Sequence, residues 1–385
     1  MDKRTTTLLH LNLIPELGPV SIERLLLYAH RQLAPDLPST AGWHELLAVG
    51  DLLPLEYIFE LDAAAIARIT RLNEANAAAV AQQLKSTSAL VEETALIQKH
   101  AVTILTPFDP AYPVCLREIH HPPPVLYCQG AALTSADQRL AIVGARKAGA
   151  YAQQVINHII PPVVGQGWQV VSGGALGADT MAHEAALAAG GVTIAVLGSG
   201  LLEPYPAANI SLFARIAGSG GTVVSSFPLR MPPDRTTFPM RNRIIAGLSA
   251  GTMVVQAAER SGALITARYA LEQGRTVFAV PGLVTDALSA GCHALIKQGA
   301  KLVAQANDIL EEFGQVSAEA PIATQAPVHA DPLLATLREP VTLDELQLAS
   351  GLAIDELQDR LFQLQVEGRV RQHVTGTWQL HDNCF

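Results

Sequence analysis

Three short loops hold the residues best able to bind an anion. Val143-Gly144-Ala145-Arg146-Lys147 follows one apolar run, Ser172-Gly173-Gly174-Ala175-Leu176-Gly177-Ala178-Asp179 follows a second, and Gly198-Ser199-Gly200 follows a third. Small residues at strand-to-helix turns let backbone amides approach a phosphate, and the helix start adds partial positive charge. Fixed charge comes from a fourth stretch. Residues 215–275 contain eight arginines (Arg215, Arg230, Arg235, Arg241, Arg243, Arg260, Arg268, Arg275), three acids and no lysine. Arginine without lysine suits planar, bidentate phosphate contacts. On counts alone, a scatter of surface arginines fits equally well.

Catalytic readings of the same loops lack their key groups. Gly198-Ser199-Gly200 continues as Leu201-Leu202-Glu203, so the third glycine of a dinucleotide fingerprint is missing, and no acid for a ribose follows about twenty residues on. No GxxxxGK[ST] phosphate loop occurs. Gly220-Gly221-Thr222 runs into Val-Val-Ser-Ser, without the acid a nucleotide-hydrolysing enzyme would place there. His183 and Glu184 could pass for an acid/base pair. His183 lies four residues after Asp179, on the same helix face, so the plainer reading is that Asp179 caps the helix and holds His183. The four cysteines (Cys115, Cys128, Cys292, Cys384) have no CxxC spacing and read as reduced thiols.

The elements that must position these loops follow from periodicity. RLAIVG, WQVVS, VTIAVLG, GTVVS, GTMVVQA and TVFAVP are short apolar runs that alternate with helical runs such as DTMAHEAALAA and RNRIIAGLS. Buried strands separated by helices predict a doubly wound, mostly parallel α/β sheet over 98–315. Ligands of such sheets lie beyond the carboxyl ends of the strands, where the three loops fall. Residues 1–97 show apolar spacing of three and four and predict a small helical domain. Within it LIPELGPVSIERLL reads as a helix–turn–helix, with Ser21 at the N-cap. Residues 316–330 read as a flexible linker. Residues 331–385 predict a winged helix, with a turn at Gly351, a helix from about Asp355 and a hairpin turning near Thr375-Gly376.

The chain has 385 residues, 49% of them hydrophobic and 16% charged, enough for two or three domains. No run approaches the ~18 apolar residues of a membrane span. The start is read as carrying no signal peptide, which makes cytoplasm the default. Net charge is −9, but residues 1–100 are −4, 316–385 are −6 and the middle is +1. The acidic helix with Asp355, Glu356, Asp359 and Glu367 would repel a DNA groove. A protein-contact or regulatory role is expected for the winged helix.

Gly144-Ala145-Arg146, SGGALGADTMAHEAAL (172–187), TIAVLGSGLLEPYPAANISL (193–212), FPMRNRIIAGLS (238–249) and SGALITARYALEQGRTVFAVPG (261–282) follow one another in the order and spacing of the DprA/Smf family (DNA-processing protein A). The resemblance covers nearly the whole chain, including the lead-in TPFDPAYPVCLREIHHPPPVLYCQG (106–130). It implies a Rossmann-like core flanked by an N-terminal helical (helix-hairpin-helix or SAM-like) domain and a C-terminal winged helix. It implies a non-enzymatic protein that binds single-stranded DNA in a basic pocket and shields it from nucleases. It also implies a homodimer that helps load the RecA recombinase in natural transformation. No cofactor, metal or membrane insertion is implied.

Carried over by residue, the resemblance makes Arg146 a DNA-backbone contact, with Lys147 beside it. Gly198, Ser199 and Gly200 become a phosphate-cradling loop. Arg235 becomes a basic contact and Phe238 a base-stacking ring. Arg241, Asn242 and Arg243 match the RNR signature, and Ser261, Gly262 and Arg268 the opposite wall. The chain departs from the pattern at Ser226, Gln256 and His293. Physical reasoning supports the set, because single strands are held by a basic groove plus an aromatic platform, and Phe238 lies between Arg235 and Arg241. Only one of Arg241 and Arg243 can face the pocket if they share a helix, since positions i and i+2 diverge. Two other classes remain as alternatives: a nucleotide enzyme on the same fold, and a transcription regulator using the winged helix.

Overall fold

The computed structural model describes residues 1–38, 41–49, 52–133, 138–315, 333, 337, 340–366, 370–372 and 376–380. The chain forms two compact units, Met1–Ser317 and Ala318–Phe385.

The larger unit is built on a nine-stranded sheet. Its strands are β1 (Thr103–Leu105), β2 (Leu126–Gly130), β3 (Arg139–Val143), β4 (Gln169–Ser172), β5 (Thr193–Val196), β6 (Thr222–Ser225), β7 (Gly251–Val254), β8 (Thr276–Ala279) and β9 (Lys301–Leu302). The order is β1-β2-β6-β5-β4-β3-β7-β8-β9. The six strands read from the sequence, β3 to β8, are all parallel to their neighbours within that set. β1 and β2 add an antiparallel edge next to β6. β2 comes from the proline-rich lead-in segment, and β1 and β9, of three and two residues, are too short to read from the sequence.

The chain leaves the centre through β3, β4, β5 and β6, then returns to the other side of β3 as β7. The sheet therefore has its switch point between β3 and β7, where a crevice opens beyond the strand ends. Alternation along β3 assigns the two faces. Leu140 and Ile142 pack with Ile156, Ile160 and Ala182 on one side. Ala141 and Val143 pack with Ile244, Ile245 and Ala267 on the other. That second face carries the helices Thr237–Gly247 and Gly262–Glu272.

Among the described residues, seven helices, from Lys3–Asn12 to Ser88–Lys99, precede the sheet. Their leucines share one apolar cluster with Tyr127, Ala195 and Val223 of the sheet. The second helix is Pro19–Arg31 with Gly18 at the N-cap, so Ser21 lies inside the first turn and does not cap it. Proline takes the first helical position because its missing N–H would have no partner there.

In the smaller unit, Thr342 and Glu345 form a reciprocal capping box on helix Leu343–Ser350, which ends on Gly351 at φ 69°. Helix Ile354–Val366 and the hairpin β10 (Val370–Gln372) and β11 (Trp378–Leu380) complete a winged helix. Leu346, Leu357, Leu361 and Trp378 are its core. The expected linker 316–330, Thr375 of the hairpin turn, Glu367 and Cys384 lie outside the described residues. No helix among the described residues is long and apolar enough to cross a membrane.

Candidate nucleic-acid interface

A cleft of 520 Å³ opens at the switch point, and its walls come from loops far apart in sequence. Val143 ends β3 and Gly144 and Arg146 follow it, Ala175 and Asp179 follow β4, and Ser261 and Gly262 follow β7. The fourth wall is the Thr237–Gly247 helix with its approach, which brings in Arg235, Phe238, Arg241 and Asn242. Seven of the thirteen expected residues thus line one cavity. Lys147 is exposed on the same loop as Arg146 but does not line the cleft.

Arg241 is the centre of this arrangement. Its side chain runs through the floor, and the residue is 5% exposed. Its Nε is fully buried and has no hydrogen-bond partner among the described residues. None of the ion pairs formed there includes it. Burial lowers its pKa to about 10, against the attraction of Asp179, so it stays cationic at neutral pH. Burial raises the Asp179 pKa, while Arg241 and two turn amides pull it down. A buried charge without a bonded partner is costly, and an arriving phosphate would satisfy it.

The ring of Phe238 organises the arginines. The guanidinium carbons of Arg146 and Arg241 lie 5.6 and 5.9 Å from its centroid. These are cation–π distances. Behind the ring Gly198 leaves no room for a side chain, since a Cβ there would come within 2.7 Å of Phe238 Cδ1. The expected stacking platform is therefore half-covered. Arg146, which covers that side, is exposed.

The glycine-rich turn after β4 does something other than offer free amides. Asp179 Oδ2 accepts from the amides of Gly173 and Ala175, both at 3.2 Å. The turn's anion is the protein's own carboxylate. Asp179 does not hold His183, whose Nδ1 pairs with the Thr193 hydroxyl at 2.7 Å. At Gly177, φ is +80° and a Cβ would meet the Ala145 carbonyl at 2.4 Å, so glycine lets this turn approach the Arg146 loop.

The remaining expected residues lie off the cleft. β5 is separated from β3 by β4, so Gly198-Ser199-Gly200 sits roughly two strand spacings, about 10 Å, from the switch point. This loop supports the site helix: the Gly198 carbonyl accepts from the Thr237 hydroxyl at 2.5 Å. The Gly200 amide is committed to the Met231 carbonyl at 2.8 Å. Arg243 points away from Arg241, as two positions on one helix must. Its Nη1 donates to the carbonyls of His120 and His121. Arg268 is exposed and pairs with Glu272 at 3.4 Å, one turn along its own helix.

Other members of the arginine window are also engaged. Arg215 forms a two-point pair with Glu184, Arg230 meets Glu92, and Arg275 donates to the Cys115 carbonyl. Two residues named in the sequence have roles at the cleft that the sequence reading did not give them. Gln256 accepts from the Gly149 amide at 3.1 Å and so ties down the end of the Arg146 loop. Asp179 acts as a wall and turn cap. The Gln256 contact spans 107 positions, which no local pattern displays, whereas the Asp179 contacts lie within its own turn. Burial raises the thiol pKa of Cys128 to about 12 and of Cys292 to about 11, which makes them inert.

Known proteins resemble this chain in sequence and fold. Residues 103–314 match the family model for DNA recombination-mediator protein A, and 316–375 match that for the DprA winged helix domain. The chain is 46% identical to DNA processing protein DprA of Bacillus subtilis over 203 residues, covering 52% of this chain and 68% of the relative. It is 38% identical to protein Smf of Escherichia coli over 284 residues, covering 71% and 76%. The solved DprA of Streptococcus pneumoniae superposes with a TM-score of 0.62 at 34% identity, covering 78% of this chain and 95% of that one. DprA of Helicobacter pylori, described with a single-stranded DNA binding mode, superposes at 0.50 and 28% identity, covering 55% and 95%. With a core model matching more than half its length and relatives aligned across most of their own, this chain belongs to the DprA/Smf family of DNA recombination mediators.

Proposed function

We propose that the cleft binds single-stranded DNA through its backbone phosphates. The observation that carries this reading is Arg241, whose buried Nε has no hydrogen-bond partner among the described residues and whose guanidinium lies beside Phe238 and Arg146. Arg146, Arg235 and Arg241 take phosphates, and Phe238 takes a base once Arg146 swings aside. Asn242, Ser261 and Gly262 line the path, and Lys147 guards its entrance. Contacts to phosphates and to the face of a base carry little sequence information, so low sequence preference is expected. The H. pylori relative, described as binding single strands, supports the choice of ligand.

Family membership supports the wider role. The protein holds incoming strands, shields them from nucleases, and passes them to the RecA recombinase during transformation and recombination. It does so without catalysis, in the cytoplasm, as a homodimer. We divide the chain into a helical domain (1–97), the DNA-binding core (98–315), a linker (316–330) and a winged helix (331–385).

Fluorescence anisotropy of a labelled strand of about 30 nucleotides, with matched duplex and a salt series, tests the reading. Tight, salt-sensitive binding to the single strand and much weaker binding to duplex are expected. Equal affinity for both, or none at low salt, overturns it.

A further inference from the structure

Residues 226–243 carry Arg235, Phe238 and Arg241, and groups outside the sheet grip this segment at both ends. At its start, Asn12 Nδ2 donates to the Ser226 carbonyl at 3.4 Å. The Glu93 carboxylate accepts from the Leu229 amide at 2.7 Å, and Glu92 pairs with Arg230 at 3.0 Å. At its end, Arg243 holds the carbonyls of His120 and His121.

That second grip is itself anchored. His121 has φ 54°, a left-handed conformation uncommon for residues other than glycine. Its Nδ1 lies 2.5 Å from Glu23 Oε2, on the Pro19–Arg31 helix. The His120 and His121 rings are 3.9 Å apart. A continuous line of contacts therefore runs from Glu23 through His121 to Arg243. Arg243 lies two positions from Arg241 on the site helix, on its opposite face. Pinning one face of a helix fixes the direction of the other.

We propose that the N-terminal helices set the geometry of the DNA-binding segment, with Glu23 and Arg243 as positioning residues that never touch the strand. The net charge of −4 over residues 1–100 suits a scaffold better than a phosphate contact. The affinity arm of the test rests on the single-strand reading above.

The full-length chain is compared with Glu23→Gln, Arg243→Lys and the double variant. Glu23→Gln keeps the shape of the side chain and removes its charge. Each single variant raises Kd for a strand of about 30 nucleotides by roughly threefold to tenfold, with the salt slope unchanged because no phosphate contact is lost. The double variant is no worse than Arg243→Lys alone, since both break one line of contacts. Amide hydrogen exchange in 237–247 quickens in each variant while the melting temperature of Glu23→Gln stays near wild type. Wild-type Kd and exchange in Glu23→Gln, additive effects, or a salt slope lowered by about one would each overturn the proposal. The exchange arm needs no DNA, so it decides the proposal even if the wild-type chain fails to bind a single strand.

Discussion

Arg241 occupies the space that a side chain at Gly173 would need. A Cβ on Gly173 would lie 1.3 Å from Arg241 Nη1 and 2.4 Å from its Cζ. The glycine is therefore a socket for the guanidinium. Gly173→Ala should drive Arg241 from the floor and weaken single-strand binding by about tenfold or more, ~1.4 kcal/mol. Gly165→Ala is the control, because a Cβ there meets nothing within 4 Å. Equal affinities for the two variants would refute the socket.

Arg146 is exposed and lies over Phe238. Arg146→Ala should leave the melting temperature unchanged. It should weaken binding alike for all sequences and flatten the dependence of log K on log salt by about one phosphate contact. A titration series at four or five salt concentrations checks this, and an unaltered slope would remove Arg146 from the contact set.

Phe238 contributes through its ring and through the two guanidinium groups it orients. Phe238→Ala should cost roughly 1–3 kcal/mol of binding, the worth of one stacked base. Phe238→Tyr should recover most of it. Anisotropy on both variants tests the point, and an alanine variant with wild-type affinity would count against any aromatic contribution.

His183 is fully buried, and burial, with the nearby charge of Arg241, lowers its pKa from 6.5 to about 3. The folded state excludes the proton while the unfolded state takes it up below pH 6.5. This contribution to stability is intact above pH 6.5 and declines as pH falls toward 3, by up to about 1.4 kcal/mol per pH unit. His183→Asn should remove that part of the acid sensitivity. Urea midpoints at pH 7 and pH 4.5 measure it, and parallel losses in wild type and variant would exclude His183 as the cause.

Helix Ile354–Val366 begins with Asp355 and Glu356 and carries Asp359. Removing residues 318–385, the smaller unit, should change single-strand affinity by less than about tenfold, since no phosphate neutralisation is lost. A larger loss would mean that the winged helix binds the strand.

The sheet was legible because β3 to β8 are apolar runs punctuated by helices, and a strand buried on both faces has no other way to look. The cleft was legible only in part. Arg146, Phe238, Arg241 and Ser261 come together because β3 and β7 are neighbours, which topology rules allow one to anticipate. The glycine-rich loops misled in two ways. After β4 the turn amides are taken by Asp179, and after β5 the loop supports the site helix. A glycine-rich turn reads the same whether it meets a ligand, a carboxylate or a phenyl ring. The arginine window overstated the cleft for a similar reason. Arg215, Arg230, Arg243, Arg268 and Arg275 have partners within the fold, which composition cannot reveal.

The carboxylate of Asp179 in the turn after β4 bears on how a strand leaves. A rigid ring of backbone amides would clasp one phosphate in one pose and release it slowly. Here that clasp is already occupied, so the grip falls to guanidinium groups on jointed side chains. Such groups can follow a phosphate as it shifts and let go of it singly. Under the proposed single-strand reading, a strand held this way would come away one nucleotide at a time from one end.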